Sequence, residues 1–516
     1  MTWTYRLTVG AVAAAALLAG CKEEERGSAW ETTVSVDATF ALGDGFALVA
    51  SPLNELATLT PSGATKVARS QSPLEGAFVA QAPMPDGRVA LVTSEPALRI
   101  LDGEGATTLS VALPDQFDAV TVSDDGRFVM LWFSPGYDGS EEQLFFQPNQ
   151  LAWIDLDEAT PTLKTHALNG PRPSSLRLLP PVTLRDGADV RRYAYVSGQN
   201  AVSWVDLTTT ELADRQRLVR LADPASGASV WAYDLVVGED LPDDPNDLTF
   251  FLRIGGQADV MAVSMTPGLE GAGRDVEVSV NLLGLGAVPT ALYRLPTTGS
   301  KLLALVQGRT TGYLMDGESG AVEAVDFGIP ASNIVFYGAE GAAPQMLVYS
   351  PNSTRLLYAD VGLFVETGPS AGRLRTLSQQ AGRVTLDASG TYALVSYAYG
   401  GGIAVLDLDR QTEVALPSRG TLNSVVLAEG YAVASFVDDS RIAWLDIATQ
   451  RVSVLDLDAS VSGMTLARDG KSLLASHYGT GGRYSFVGLS SAGMTRKAAY
   501  QGFFYDGLLG RDRSAQ

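Results

Sequence analysis

Beyond its first thirty residues, the chain consists of short apolar runs in which apolar and polar positions alternate. The runs are rich in Val, Leu, Tyr and Phe, and Gly, Asp, Pro and Ser separate them. Alternation of period two places one apolar face on a β-strand, whereas an amphipathic helix needs apolar residues every three to four positions. No long stretch of the sequence has the helical spacing. The pattern therefore predicts an all-β fold of short strands and tight turns.

Two turn motifs recur along the chain. The first is an Asp-Gly-like turn followed by an apolar strand, and it occurs at Gly87, Gly126, Gly187, Gly390, Gly430 and Gly470. The second is an apolar pair followed by aspartate, and it occurs at Asp102, Asp155, Asp206, Asp407 and Asp446. In four units the step from the glycine to the aspartate is 15 to 19 residues, and a 17-residue step joins Gly299 to Asp316. This spacing predicts one supersecondary unit repeated in register.

The repeated unit resembles a known β-propeller repeat. The segment Thr121–Val129 is similar to the first half of the YVTN-type repeat, in which an apolar strand leads through an S-x-D-G turn into a second strand. The segment Arg441–Val452 is similar to the second half, V-x-V-I-D-x-x-T-x-x-V. The resemblance implies four-stranded blades arranged around a central channel.

The number of blades is open at the level of sequence. Up to ten four-stranded units begin near residues 40, 78, 117, 175, 230, 286, 331, 377, 421 and 460. Known propellers typically have about four to eight blades, so seven or eight blades are expected if some units are insertions. No linker rich in Pro, Gly and Ser divides the chain, which favours one ring over two smaller ones. We expect a propeller over residues 31–510, followed by a tail over 511–516, with the strand at 31–36 closing the ring.

The recurrent aspartates have a structural interpretation. Each follows an apolar pair, at the point where a strand leaves its sheet. A carboxylate there accepts hydrogen bonds from the amides of the following turn. We therefore expect these aspartates to stabilise turns and not to form a catalytic set.

Three segments are longer than the repeat requires. The segment Pro135–Asn149 contains Tyr137, Phe145 and Phe146, which either form a partner-binding loop or fold back onto their blade. The segment Ala213–Ala228 lengthens the join between the fourth and fifth units. Insertions of this kind often carry the function of repeat proteins.

The third insertion, at residues 238–247, is acidic. Its weak candidate metal ligands are Asp240, Asp243, Asp244 and Asp247. Calcium takes six to eight oxygen ligands, yet the segment lacks the D-x-[DN]-x-[DN]-G spacing of a calcium loop. Because Pro242 and Pro245 also restrict its folding, a solvated acidic loop is the favoured interpretation.

Catalytic motifs are weak in this sequence. Gly368–Gly372 matches G-x-S-x-G, but a nucleophile elbow needs a helix after the motif, and no helical pattern follows Gly372. Of the two histidines, His166 and His477, the second lies beside a glycine-rich turn, where it is either structural or faces a ligand. We therefore predict no catalytic residues, no cofactor and no enzymatic activity. The alternatives are a hydrolase or lactonase with a metal-dependent site in the channel, or a sensor that binds carbohydrate or another ligand.

The amino terminus has the layout of an export signal. Arg6 precedes an apolar run at residues 7–18, which is shorter than the roughly 20 apolar residues of a membrane-spanning helix. The run ends in Leu18, Ala19 and Gly20, directly before Cys21.

This ending resembles the lipobox of bacterial lipoproteins. The resemblance implies that a signal peptidase recognises Leu18, Ala19 and Gly20, removes residues 1–20 and leaves Cys21 carrying acyl chains such as palmitate. Cys21 is the only cysteine of the sequence, and a lipidated cysteine needs no disulfide partner. Residues 21–30 would form a polar tether. Since Lys22 replaces the aspartate that retains many lipoproteins at the inner membrane, the resemblance favours the outer membrane.

The net charge of the chain disfavours one class of partner, the nucleic acids. The chain carries 37 Lys and Arg against 58 Asp and Glu, a net charge of −21, which disfavours binding to nucleic acid. We therefore expect a lipoprotein anchored in the cell envelope through acylated Cys21. Its propeller would act as a non-enzymatic binding or scaffold module for protein partners.

Overall fold

The computed structural model describes ten four-stranded sheets in chain order. It covers residues 36–50, 54–62, 66–139, 146–183, 190–209, 215–222, 229–237, 248–267, 276–296, 301–317, 319–338, 341–387, 389–399, 401–418, 420–478 and 483–500. Every sheet is an antiparallel meander, and we number the sheets as blades 1 to 10.

The strands of the first five blades have the following bounds. Blade 1 contains β1 (Ala38–Leu42), β2 (Gly45–Ala50), β3 (Glu55–Pro61) and β4 (Val67–Pro73). Blade 2 contains β5 (Phe78–Pro83), β6 (Val89–Thr93), β7 (Ala97–Leu101) and β8 (Thr107–Ala112). Blade 3 contains β9 (Ala119–Val122), β10 (Phe128–Trp132), β11 (Gln150–Asp155) and β12 (Lys164–Ala167). Blade 4 contains β13 (Pro173–Leu178), β16 (Tyr193–Gly198), β17 (Ala201–Asp206) and β18 (Gln216–Arg220), with a small hairpin of β14 (Val182–Thr183) and β15 (Val190–Arg191) inserted after its first strand. Blade 5 contains β19 (Ala232–Val237), β20 (Leu248–Ile254), β21 (Asp259–Pro267) and β22 (Val276–Gly284).

The last five blades follow the same order. Blade 6 contains β23 (Ala291–Arg294), β24 (Lys301–Leu305), β25 (Thr311–Asp316) and β26 (Val322–Asp326). Blade 7 contains β27 (Asn333–Tyr337), β28 (Gln345–Tyr349), β29 (Arg355–Asp360) and β30 (Gly372–Thr376), with helix α1 (Val361–Thr367) and a short 3-10 helix (Gly368–Ala371) before its last strand. Blade 8 contains β31 (Ala381–Leu386), β32 (Tyr392–Tyr397), β33 (Gly402–Asp407) and β34 (Thr412–Pro417). Blade 9 contains β35 (Leu422–Ala428), β36 (Tyr431–Phe436), β37 (Arg441–Asp446) and β38 (Val452–Asp456), and blade 10 contains β39 (Val461–Leu466), β40 (Ser472–His477), β41 (Tyr484–Ser490) and β42 (Gly493–Tyr500).

Burial differs systematically between the four strands of a blade. The first strands of neighbouring blades contact one another, as β5 contacts β9 and β35 contacts β39, so they are the inner strands around the channel. Second and third strands such as β6 and β7 are buried along their whole length. Fourth strands such as β8 are the outer strands, and their side chains alternate between exposed and half-buried. The long apolar runs of the sequence are therefore the middle strands of the blades.

The ten blades form one closed ring. Ten apolar clusters each join two consecutive blades, from blades 1 and 2 through to blades 9 and 10 and finally blades 10 and 1. In the closing cluster, the rings of Phe46 and Phe486 meet edge to face with centroids 5.5 Å apart. The β-propeller prediction is confirmed. All ten units are blades, so the alternatives of seven or eight blades and of two smaller rings are wrong.

The blade boundaries were largely predictable. The inner strands begin at residues 38, 78, 119, 173, 232, 291, 333, 381, 422 and 461. The largest difference from the predicted starts is five residues, between 286 and 291. Five of the predicted glycine turns join the first and second strands of their blades, and Gly87, Gly126, Gly390, Gly430 and Gly470 all have positive φ angles. Because residues with a side chain are strained at these angles, glycine marks the turn in the sequence.

Two details differ from the predictions, and a third prediction falls outside the described residues. The segment 213–228 was interpreted as an insertion, but its residues Gln216–Arg220 form β18, the outer strand of blade 4. Helix α1 was not predicted. The four described strands of blade 10 all come from Val461–Tyr500, and the segment 31–35, predicted to close the ring, lies outside the described residues.

Helix α1 packs into the interface between blades 6 and 7. The carboxylate of Asp360 caps it by accepting a hydrogen bond from the Leu363 amide at 2.9 Å. Its buried Phe364 stacks on Phe327 of blade 6, with ring centroids 5.6 Å apart. In the described part of the chain, no helix is both long enough and apolar enough to span a membrane.

Candidate functional site

The antiparallel meander gives the ring two different faces. Loops between first and second strands and between third and fourth strands lie on one face. Loops between second and third strands, and the links from one blade to the next, lie on the other. We call the second face the entry face, because the chain enters β1 there. The loop at Pro135–Asn149 belongs to the entry face, since it joins β10 to β11.

The recurrent aspartates stabilise turns, as predicted. Asp102 accepts hydrogen bonds from the amides of Glu104 and Ala106 at 3.0 and 2.9 Å. Asp206 accepts from the amides of Thr208 and Thr209 at 2.8 and 3.0 Å. The carboxylates of Asp155, Asp316, Asp407 and Asp446 bind turn amides in the same way. These residues lie on separate blades, at the face opposite to the entry face.

Both ring nitrogens of His477 form hydrogen bonds with neighbouring residues of the fold. It is only 7% exposed, and its Nδ1 donates to the carbonyl of Ala459 at 2.8 Å. Its Nε2 accepts from the hydroxyl of Ser485, also at 2.8 Å. Burial lowers the pKa of His477 below its ordinary value of 6.5. Both nitrogens of the neutral ring therefore have structural partners. His166 lies on β12 beside Gln216, and burial lowers its pKa as well.

The G-x-S-x-G match has the wrong local structure for a nucleophile elbow. Ser370 lies in the 3-10 helix, its hydroxyl donates to the carbonyl of Thr367 at 2.9 Å, and the strand β30 follows. An elbow requires a strand before the serine and a helix after it. The strand that follows Gly372 agrees with the absence of a helical pattern in the sequence after the motif.

The aromatic residues of the Pro135–Asn149 loop pack against their own blade where the structure describes them. Tyr137 stacks on Phe133 with centroids 5.7 Å apart, and Phe146 meets Phe133 edge to face at 4.9 Å. Arg172 lies over the ring of Phe146 and donates to the carbonyl of Tyr137. Phe145 lies outside the described residues. Partner binding by this loop stays a prediction, and the two described rings are half-buried.

Several predicted site residues lie outside the described residues. They are the lipidation site Cys21, its recognition residues Leu18, Ala19 and Gly20, and the acidic residues Asp240, Asp243, Asp244 and Asp247. The assignments made to them stay predictions.

A group of exposed apolar side chains lies on the entry face of blades 8 to 10. Tyr399, Val437 and Tyr478 are 80%, 42% and 51% exposed, and we call them the entry-face residues. Each lies in the loop between the second and third strands of its blade. No motif singled them out in the sequence, because exposure of a loop side chain depends on the loop's path.

The three loops start in the same way. The amides of Ala398, Val437 and Tyr478 each donate to the carbonyl of the residue just before the inner strand of the same blade, at 2.9, 2.8 and 3.0 Å. This shared bond fixes each loop against the link that enters its blade. The entry-face residues thus lie in corresponding loops of three consecutive blades. Val437 and Tyr478 hold the same position in their loops, and Tyr399 follows that position by one residue.

Comparisons with known proteins found distant structural similarities. No protein-family model matches the chain, and no curated protein matches it. A structure of dihydro-heme d1 dehydrogenase NirN in complex with DHE is 12% identical over 73% of this chain and 74% of its own, with a TM-score of 0.42. A eukaryotic initiation factor is 14% identical over 90% and 96%, with a TM-score of 0.44. Apo AztD from Citrobacter koseri is 14% identical over 74% and 95%, with a TM-score of 0.30. No argument about function rests on similarities this distant.

Proposed function

We propose that this protein is a lipid-anchored, non-enzymatic binding module of the cell envelope that contacts a protein partner through its entry face. The observation that carries the proposal is the exposure of Tyr399, Val437 and Tyr478 at corresponding loops of three consecutive blades. Burial of large apolar side chains against a partner lowers the free energy of the complex, and tyrosine is enriched in protein interfaces. Their recurrence in one sector distinguishes them from scattered surface residues.

The chemistry of the other candidate residues supports a binding role. The ring nitrogens of His477, the hydroxyl of Ser370 and the carboxylates of the recurrent aspartates all have partners within the fold. Each of these groups therefore has a structural role that explains its presence.

The anchor is proposed from the lipobox resemblance at Cys21, and the outer membrane is the proposed location. In this arrangement the acylated residue precedes β1, which the chain enters at the entry face. The tether would therefore join the ring on the side that carries Tyr399, Val437 and Tyr478. A partner that lies in or beside the membrane suits this placement.

Site-specific photocrosslinking in the native envelope tests the partner proposal. A photoreactive phenylalanine analogue replaces Tyr399 or Tyr478, and the matched control replaces Leu282, an exposed side chain of the outer strand β22. We expect the same reproducible protein adduct from both entry-face positions and its absence from the control. If neither entry-face position gives a protein adduct, or if Leu282 gives the same adduct, the proposal is wrong.

The anchor has a separate test. Cys21→Ser should abolish labelling by radioactive palmitate and leave the precursor uncleaved. Normal processing and membrane retention of this variant would refute the lipoprotein assignment without bearing on the entry face.

A further inference from the structure

A cavity of about 450 Å³ lies between blades 8 and 9, where it is lined by the inner strands β31 and β35 and by the second strand β32. Its polar lining comes from Arg383, Thr385, Ser396, Asn423 and Ser424. Leucine and valine side chains, including Leu394 and Leu427, form the rest of the wall. None of the described residues that line it is acidic. We call it the channel cavity, and its volume lies within the range of small-molecule sites, about 300 to 1,000 Å³.

Arg383 supplies the cavity with a positive charge that no described residue neutralises. The residue is exposed, and no hydrogen bond or ion pair joins its guanidinium to another residue in the described part of the chain. A second cavity, of about 290 Å³, provides a contrast. There the guanidinium of Arg99 binds the carboxylate of Glu75 at 2.6 Å and the hydroxyl of Thr93 at 2.6 Å. Arg99 is therefore committed to the fold, whereas Arg383 is available to a ligand.

The charge of the channel wall is opposite to that of the protein. The ten inner strands carry three arginines, Arg177, Arg294 and Arg383, and one acidic residue, Asp234. The carboxylate of Asp234 is already paired with Arg253 of the second strand at 2.7 Å. The whole chain has a net charge of −21. A concave, positively lined site in an acidic protein concentrates small anions.

The backbone on both sides of the cavity is locally rearranged. A β-bulge interrupts β31 between Ala381 and Arg383, and another interrupts β35 between Leu422 and Ser424. A Cβ atom on the intervening Gly382 would lie 3.0 Å from the Cα of Ala398, so a larger residue there would require its neighbours to shift by a few tenths of an ångström. Bulges redirect neighbouring side chains. The same register shift begins the inner strands of blades 2, 4 and 10, so it belongs to the repeat, and at this cavity it sets the direction of the lining residues.

The second bulge residue is held firmly. The side-chain Nδ2 of Asn423 donates to the carbonyl of Val461 at 3.0 Å and lies 3.4 Å from the hydroxyl of Ser435. These bonds hold its amide group against blade 10. The wall of the cavity beside Arg383 is therefore built on ordered strands and not on a loop.

We propose that the channel cavity binds the carboxylate of an organic acid with an apolar body. The Arg383 guanidinium would donate to the carboxylate, as its planar fork of N–H groups is suited to do. The hydroxyls of Thr385 and Ser424 offer neutral donors, and the leucine side chains cover the apolar part of the ligand. A single cation matches a monoanion better than a phosphate dianion, which usually meets several cations or a helix N-terminus. The carboxylate belongs either to a free acid or to the carboxyl terminus of a polypeptide.

Isothermal titration calorimetry of the purified full-length protein tests this site. The probes are hexanoate and its neutral counterpart hexanamide, and a second pair is an apolar tripeptide with a free or an amidated carboxyl terminus. We expect at least one carboxylate to bind and its neutral counterpart to bind more weakly. Arg383→Gln should lower the affinity for the carboxylate about tenfold to a hundredfold, which is the effect of losing a charge-assisted hydrogen bond. Arg383→Lys should give a smaller loss, because it keeps the charge and removes the planar fork.

The matched control is Arg375→Gln, which removes an exposed arginine from the outer strand β30 of the neighbouring blade. It should bind the probes as the parent protein does. The proposal is wrong if no carboxylate binds, if the amides bind equally well, or if the two glutamine variants behave alike. Binding of the acid alone identifies a small-molecule site, and binding of the peptide alone identifies a polypeptide terminus. None of these results depends on the crosslinking of the entry-face residues, so the two proposals fail separately.

Discussion

At the residue scale, carboxylates at the ends of third strands hold the turns of this ring. Six recurrent aspartates accept amide hydrogen bonds, and this role was predictable because it depends on local sequence alone. Arg383 was not recognisable in the same way. Its importance depends on a neighbouring blade that lies some forty residues further along the chain and forms the other wall of the cavity.

The aspartates should differ in their contribution to stability. Asp206 is buried and binds the amides of Thr208 and Thr209, whereas Asp446 is half-buried and binds the amide of Thr449 at 2.8 Å. Asp206→Ala removes a buried carboxylate that accepts from the amides of Thr208 and Thr209, which we expect to cost about 2 to 3 kcal/mol of unfolding free energy. Asp446→Ala should cost about 1 kcal/mol, as the loss of an exposed cap does. Urea denaturation measures both, and equal losses would contradict the role of burial.

His477 should make the stability of the protein depend on pH. Because burial lowers the pKa of its imidazole below 6.5, the unfolded chain binds more protons than the folded chain as the pH falls through that value. The contribution of His477 is therefore complete above the unfolded pKa and is lost at lower pH. His477→Gln should reduce the drop in melting temperature between about pH 7.5 and about pH 5.5. An unchanged drop in this variant would show that the ring titrates normally in the folded state.

At the element scale, the position of a strand within its blade determines how well its sequence predicts it. Middle strands such as β33 are buried throughout and read as continuous apolar runs. The outer strand β18 has the sequence QRLVR, which faces solvent and resembles a loop. Helix α1 was missed because its residues VGLFVET include two valines and a phenylalanine, which favour strands. Only the capping carboxylate of Asp360 before it and Gly368 after it indicated a helix.

The helix offers a test of whether it belongs to the core. Phe364 is buried against Phe327 of the preceding blade, and its neighbour Leu363 is 46% exposed. Phe364→Ala should cost about 3 to 5 kcal/mol of unfolding free energy, because it leaves a cavity between blades 6 and 7. Leu363→Ala truncates an exposed apolar side chain of the same helix and should cost less than about 0.5 kcal/mol of unfolding free energy. If thermal or urea denaturation shows similar losses for both, α1 does not pack on the ring as described.

At the scale of the whole molecule, the number of blades depends on how the ends of the ring meet. Strand and turn signals recur along the whole chain, and the same strands are predicted whether the ring has ten blades or has eight blades with insertions. The choice is made by tertiary packing, in which ten apolar clusters connect each blade to the next and the last to the first. Among the described residues, blades 1 and 10 meet through side chains such as Phe46, Leu474 and Phe486.

This closure predicts where the ring opens when one interface is weakened. Phe486→Ala removes the ring that packs on Phe46, and Phe250→Ala removes the ring that packs 5.3 Å from Trp204 between blades 4 and 5. Both phenylalanines are fully buried, so each variant should lose about 3 to 5 kcal/mol of unfolding free energy. Hydrogen exchange should differ between them. We expect Phe486→Ala to accelerate amide exchange in β2 and β41, which lie almost a full chain length apart, while Phe250→Ala accelerates it in β17 and β20. Acceleration in β41 without any change in β2 would mean that blades 1 and 10 do not support each other, and the ring would then be open at this point.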